Sequence, residues 1–125
     1  MLGIFGIFGR SKDLKRLDQA LLGVSLSPWV VPEAVKLAVL KLLADAGMGR
    51  DPAGEAAAAE LLGYCLFGAR EFTEYNSLAL TEAVENRIAA ALEAGDSLDA
   101  QIVLLALHAN VLHPSVIETF ALSVD

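Results

Sequence analysis

The sequence predicts an all-α, single-domain bundle of five or six helices around a central apolar helix at about residues 98–112, and three observations carry that expectation. First, apolar residues recur at three- and four-residue spacing between capping and stop signals, and no alternating run is long enough for a strand. Second, 125 residues suit one domain, and 55% of them are hydrophobic, above the usual roughly 45–50%, with much of the excess in helix-favouring alanine. Third, Leu98–Leu112 (LDAQIVLLALHANVL) is the most apolar stretch of the chain. On a helix, Asp99, Asn110 and His113 share one narrow stripe, while Gln101 and His108 share the opposite one. A helix apolar nearly all round is a buried one, so Ile102, Leu104 and Leu105 are expected to be almost fully covered.

The N-terminus opens with a tandem repeat, Gly3-Ile4-Phe5 and Gly6-Ile7-Phe8. Its glycines disfavour a free helix, yet Ile4, Phe5, Ile7 and Phe8 need cover from water. Residues 1–10 therefore form an apolar segment with three candidate destinations: the domain's own core, a neighbouring subunit, or an anionic bilayer surface. The last would use the adjacent Lys12, Lys15 and Arg16. The helical domain proper is placed at 11–125. Ser11 is the expected cap of a first helix reaching about Leu22, with Leu14, Leu17 and Leu21 inward and Gly23 as its stop. SLSPWVVP is a connector in which Trp29, the sole tryptophan, reads as a core or hinge anchor rather than a ligand platform.

Pro32 suits the start of a second helix running to about Ala46, with Gly47 as its stop. Val35, Val39, Leu42 and Leu43 form its inner face. Leu37 and Leu40 project instead among Glu33, Lys36, Lys41 and Asp45, which makes them candidates for an interface. Asp51-Pro52 caps a third helix to about Gly68, whose Ala- and Gly-rich surface invites close approach by another helix. A fourth helix starts after Asn76-Ser77 or Thr81, turns Leu80, Val84, Ile88 and Leu92 inward, and ends at Gly95. Asp96-Ser97 begins the fifth, with either side chain able to cap it, and His113-Pro114 breaks it and starts a last helix from Ser115 to about Ser123.

Charge and motifs narrow the function. The net charge is −7: residues 1–41 hold six Lys/Arg against three Asp/Glu, and the remainder three against thirteen. An acidic chain of this kind disfavours nucleic acid as a partner. The lone Cys65 allows no internal disulfide, and no Cys/His cluster has zinc spacing, so neither metal nor cofactor is implied. The start has no basic n-region ahead of a long apolar run, which points to the cytoplasm. From Ala100 to Ile117 no charge occurs, but Gln101, His108, Asn110, His113 and Pro114 argue against a membrane span. GxSxG, GxxxxGK[ST], GxGxxG and HExxH are all missing from the sequence. Gln101 and His108, two turns apart on an apolar helix, need polar partners if buried, and with Tyr64 they form a candidate internal network or ligand pocket.

Gly95-Asp96, Ala100 and Pro114 resemble the second helix of a tetratricopeptide repeat, which carries a Gly-Asp, an Ala five residues after that Gly, and a terminal Pro. Pro114 lies about two residues too far along, the preceding helix lacks the repeat's Trp/Leu-Gly/Tyr pattern, and no second copy stands about 34 residues away. The resemblance covers one helix and assigns no family. Two functions are expected from the residues: a non-catalytic cytoplasmic interaction or scaffold module that self-associates, or a small-ligand or enzymatic pocket between helices lined by Tyr64, Gln101 and His108.

Overall fold

The computed structural model describes residues 2–123, with side chains from Lys12 onward. Six α-helices pack against one another, and there is no strand among the described residues. They are α1 (Leu2–Gly23), α2 (Glu33–Asp45), α3 (Pro52–Tyr75), α4 (Leu78–Ala94), α5 (Leu98–His108) and α6 (Pro114–Thr119); a short 3-10 turn, Pro28–Val30, lies between α1 and α2.

The helix starts follow the capping residues. Asp51, Ser77 and Ser97 accept from the backbone N–H of Ala53, Leu80 and Ala100, at 3.0, 3.0 and 3.2 Å. Pro32 stands immediately before α2, and His113 caps α6. One start differs from expectation: α1 begins at Leu2 rather than Ser11. The glycine penalty applies to a free segment, which must nucleate its own helix. Here residues 2–10 extend a helix already docked from Leu17 onward, and propagation avoids the nucleation cost. The side chains of Ile4, Phe5, Ile7 and Phe8 lie outside the described residues.

Helix ends follow a rule less visible in sequence. Leu26 N–H donates to Leu21 C=O, Met48 to Leu43, Val111 to Ala106 and Leu122 to Ile117, at 3.0, 2.8, 3.1 and 2.9 Å. Each bond spans a residue of positive φ: Ser25 (67°), Gly47 (76°), Asn110 (62°) and Ala121 (51°). These are Schellman ends, and three of the four place a side chain in the left-handed region where glycine is favoured. The first helix therefore turns at Ser25, two residues beyond the expected Gly23. The fifth stops at His108 because Asn110 turns the chain before Leu112.

The position at the centre also differs. α3 packs against all five other α-helices, whereas α5 packs chiefly on α2, α3 and α4. Gly54, Ala58, Ala59 and Gly63 of α3 are buried, so that part of its small-residue surface is consumed inside the molecule, while Ala53 and Ala56 are exposed. At Gly63 a Cβ would stand 3.0 Å from both Phe72 Cε1 and Val24 Cγ2, which shows how near the neighbours come. α5 buries Ile102, Val103, Ala106 and Leu107 but exposes Gln101, Leu104 and His108. Those three fall at i, i+3 and i+7, one solvent-facing stripe. The near-complete burial expected for Leu104 and Leu105 is not found: Leu104 is exposed and Leu105 half-buried.

α3 is bent. Gly68 has φ 81° and ψ 165°, outside any helical region, and divides the element into two helical pieces. The bend folds Phe72 back on Tyr64, with ring centroids 5.9 Å apart, and Tyr75 back on Phe67 at 5.0 Å. Eight residues of straight helix would separate such pairs by about 12 Å. His113 N–H donates to Cys65 C=O at 2.7 Å just before the bend, taking up one carbonyl of the interrupted helix.

Candidate functional site

The connector after α1 alternates between core and solvent. Val24, Leu26 and Val31 are buried and fasten it to the bundle. Between them Ser27-Pro28 opens the 3-10 turn, Pro28 supplying a preset φ. That turn carries Trp29 and Val30 outward. Trp29 is 88% exposed, so it anchors neither core nor hinge, contrary to the sequence expectation. An indole in water forfeits a large apolar burial, which most monomers avoid.

Other apolar side chains share this end of the bundle. Leu22, on the last turn of α1, is exposed, as are Tyr75 and Leu78 at the α3–α4 junction. The two junctions are tied together: Ser25 Oγ donates to Tyr75 C=O at 3.5 Å, and Asn76 Nδ2 donates to Val24 C=O at 3.1 Å. Four of the six large exposed hydrophobic residues found among the described residues therefore lie on two linked loops, and a fifth, Leu22, lies beside them. Both loops are uncharged, residues 23–32 and 75–81 containing no Asp, Glu, Lys or Arg. Beneath Trp29 is an open groove of about 410 Å³ lined by Asp18, Ser27, Pro28, Trp29 and Lys36. Its two charged residues neutralise each other, Lys36 Nζ donating to Asp18 Oδ1 at 3.0 Å.

The residues singled out in the sequence lie elsewhere. Leu37 and Leu40 are half-buried, and Leu40 packs against the core. Tyr64 is fully buried, with its hydroxyl donating to Glu85 Oε2 at 2.7 Å. Burial, and then that carboxylate, raise its pKa well above the usual phenol range. Gln101 and His108 are both exposed, so the three do not meet in a network or pocket. The expectation fails because the polar stripe of α5 faces water and its buried side is wholly apolar. Tyr64 is satisfied instead by Glu85, one residue beyond the inward Val84 on α4.

Polar groups inside the bundle are otherwise spent on joining helices. Arg87 donates to both oxygens of Asp99 (3.1 and 3.2 Å), to Glu60 Oε1 and to Ala57 C=O, both at 3.2 Å, linking α3, α4 and α5. Arg16 bridges Asp13 at 2.6 Å and the buried Glu55 at 3.0 Å. Cys65 is buried, and loss of hydration pushes its thiol up to about 12, which keeps it protonated and unreactive. A second cavity, about 400 Å³, lies at the α3 bend between Phe67, Arg70, Glu71, His113, Ser115 and Thr119. Among the described residues no group of three or more His, Cys, Asp or Glu could hold a metal ion. No helix among them is long and apolar enough to cross a membrane. Comparison with protein-family models, curated proteins and solved structures gave no match.

Proposed function

We propose that this chain is a non-catalytic, cytoplasmic helical interaction module that self-associates through the uncharged end bearing Trp29. The exposure of that indole carries the reading, with Val30, Tyr75 and Leu78 exposed on the same pair of linked loops and Leu22 beside them. The electrical character of the end favours a second copy as the occupant. Charged partners are ordinarily selected by complementary charge around an apolar centre, and these loops have none to offer. Two copies can meet at the uncharged loops themselves, with the exposed Glu33, Glu74 and Glu82 flanking those loops in sequence. Apolar patches on monomers reach roughly 300–600 Å², below the roughly 800 Å² per partner of standard interfaces. The association is therefore expected to be micromolar rather than nanomolar. The small-ligand reading loses its support, because Gln101 and His108 are exposed and apart from Tyr64.

Trp29 is the only tryptophan, so its fluorescence reports on this site alone. Sedimentation equilibrium should give a mass that rises with concentration, and the emission should shift to shorter wavelength in step. Trp29→Ser should leave a monomer with unchanged circular dichroism. Raising the salt should strengthen association only modestly, by screening the overall negative charge. A monomer at near-millimolar concentration would overturn the proposal, as would association that Trp29→Ser leaves intact.

A further inference from the structure

Helix α6 is only six residues long and would not persist alone. It stays in place because Val116 is buried, Ile117 and Phe120 pack on the core, and the Phe120 ring meets Tyr64 edge-on at 6.4 Å. Its first turn depends on His113. The Nδ1 of that imidazole accepts from Ser115 N–H at 3.1 Å and lies 2.8 Å from Ser115 Oγ. The ring and Ser115 rest against the bare face of Gly68, where a Cβ would stand 3.0 Å from Nδ1. One histidine thus caps α6 through its side chain and ties it to α3 through its backbone bond to Cys65.

A backbone N–H can only donate, so the contact with Ser115 N–H requires an unprotonated Nδ1, with the ring proton on Nε2. Protonation sets two donors face to face. The hydroxyl of Ser115 can rotate to accept, but its backbone N–H loses its partner. We propose that His113 is a pH-sensitive latch: its protonation frees the first turn of α6 from the α3 bend. The charged groups that line the cavity with the ring are Arg70 and Glu71 from α3, and α6 itself carries one further charge, the exposed Glu118. Carboxylates and guanidinium groups ordinarily titrate outside pH 5 to 8, which leaves imidazole as the group that changes charge in that window. The buried Cys65 thiol, pushed up to about 12, stays neutral throughout. The sign follows: the cap is present when the ring is neutral, and its contribution is lost as falling pH protonates the ring.

Amide hydrogen exchange on the full chain at pH 7.5 and 5.0, corrected for intrinsic rates, tests the proposal. Protection in α6 should fall about fivefold at the lower pH relative to the first half of α3, as expected for the loss of a typical cap. His113→Asn should remove that pH dependence, since asparagine caps without titrating. His108→Gln should leave it intact, because His108 is exposed at the far end of α5. Flat protection in the unmodified chain, or a pH-dependent fall surviving in His113→Asn, would overturn the latch. If His113→Asn does not fold, nitrogen-15 shifts of the native imidazole decide. At neutral pH they should show an unprotonated Nδ1, and Ser115 N–H should shift in step with ring protonation; a proton on Nδ1 at neutral pH would overturn the proposal.

Discussion

Gly68→Ala should be among the most destabilising methyl additions the bundle can receive. Two terms add. The backbone at φ 81° and ψ 165° lies where L-residues are strained, at a cost of about 1–3 kcal/mol. The new Cβ would also stand 2.8 Å from Ser115 Oγ, closer than real Cβ atoms come, and 3.0 Å from His113 Nδ1, a tight contact that makes the ring give way. Relief requires Ser115 to rotate away and the imidazole to shift, which sacrifices hydrogen bonding worth about 1 kcal/mol. The total is about 2–4 kcal/mol. Two other glycines separate the terms. Gly95 has a similar φ of 89° but nothing within 4 Å of the added methyl, so Gly95→Ala isolates backbone strain and should cost about 1–2 kcal/mol. Gly23 ends α1 with open space around it, and Gly23→Ala should stabilise by about 0.5 kcal/mol. Urea unfolding of the three variants, with m-values checked for constancy, measures the series. If Gly68→Ala costs no more than Gly95→Ala, the close approach of α6 to the bend is wrong. A neutral Gly68→Ala would refute the bend itself.

Three further outcomes are expected. Arg87→Lys should lose about 1–2 kcal/mol in the same urea assay, because an ammonium cannot reproduce the paired contacts to Asp99 while also reaching Glu60 and the carbonyl of Ala57. Ser25→Gly should gain about 0.5–1 kcal/mol by relieving a left-handed serine, measured as a rise in the denaturation midpoint. Cys65 should resist iodoacetamide at pH 8 in the folded chain and react promptly once urea unfolds it, since burial keeps the thiol protonated.

What the sequence made legible follows local chemistry. Asp51, Ser77, Ser97 and His113-Pro114 mark helix starts because a cap needs only one acceptor side chain beside the first free N–H groups, and those groups are local. The ends at Ser25 and Asn110 were harder to read. Glycine is the usual marker of a left-handed stop, and Gly23 stands two residues short of the actual turn at Ser25. The physical signal is the apolar residue that follows the turn, Leu26 or Val111, which folds back onto the core and compels its predecessor into positive φ. That signal is tertiary and cannot be separated from an ordinary apolar residue by periodicity. The choice of central helix shows the same limit. α5 has the more apolar sequence, but touching five neighbours demands small side chains, and α3 supplies Gly54, Ala58, Ala59 and Gly63.

The candidate surface was concealed for a related reason. A lone tryptophan beside two valines reads as a core or hinge anchor, but the direction of Trp29 is set by its neighbours. Val24, Leu26 and Val31 occupy the inward positions of the connector, and the 3-10 turn begun by Pro28 leaves Trp29 and Val30 no route to the core. Tyr75 is presented by a different device, the Gly68 bend that brings its ring onto Phe67. The same bend receives His113 and Ser115. One backbone feature thus contributes to the exposed apolar end and seats the cap of α6. A substitution that straightened α3 would therefore move Tyr75 and unseat α6 together. Loss of self-association in Gly68→Ala would not by itself locate the interface at Trp29. Trp29→Ser, which touches neither the bend nor the cap, is the substitution that separates the surface from the scaffold presenting it.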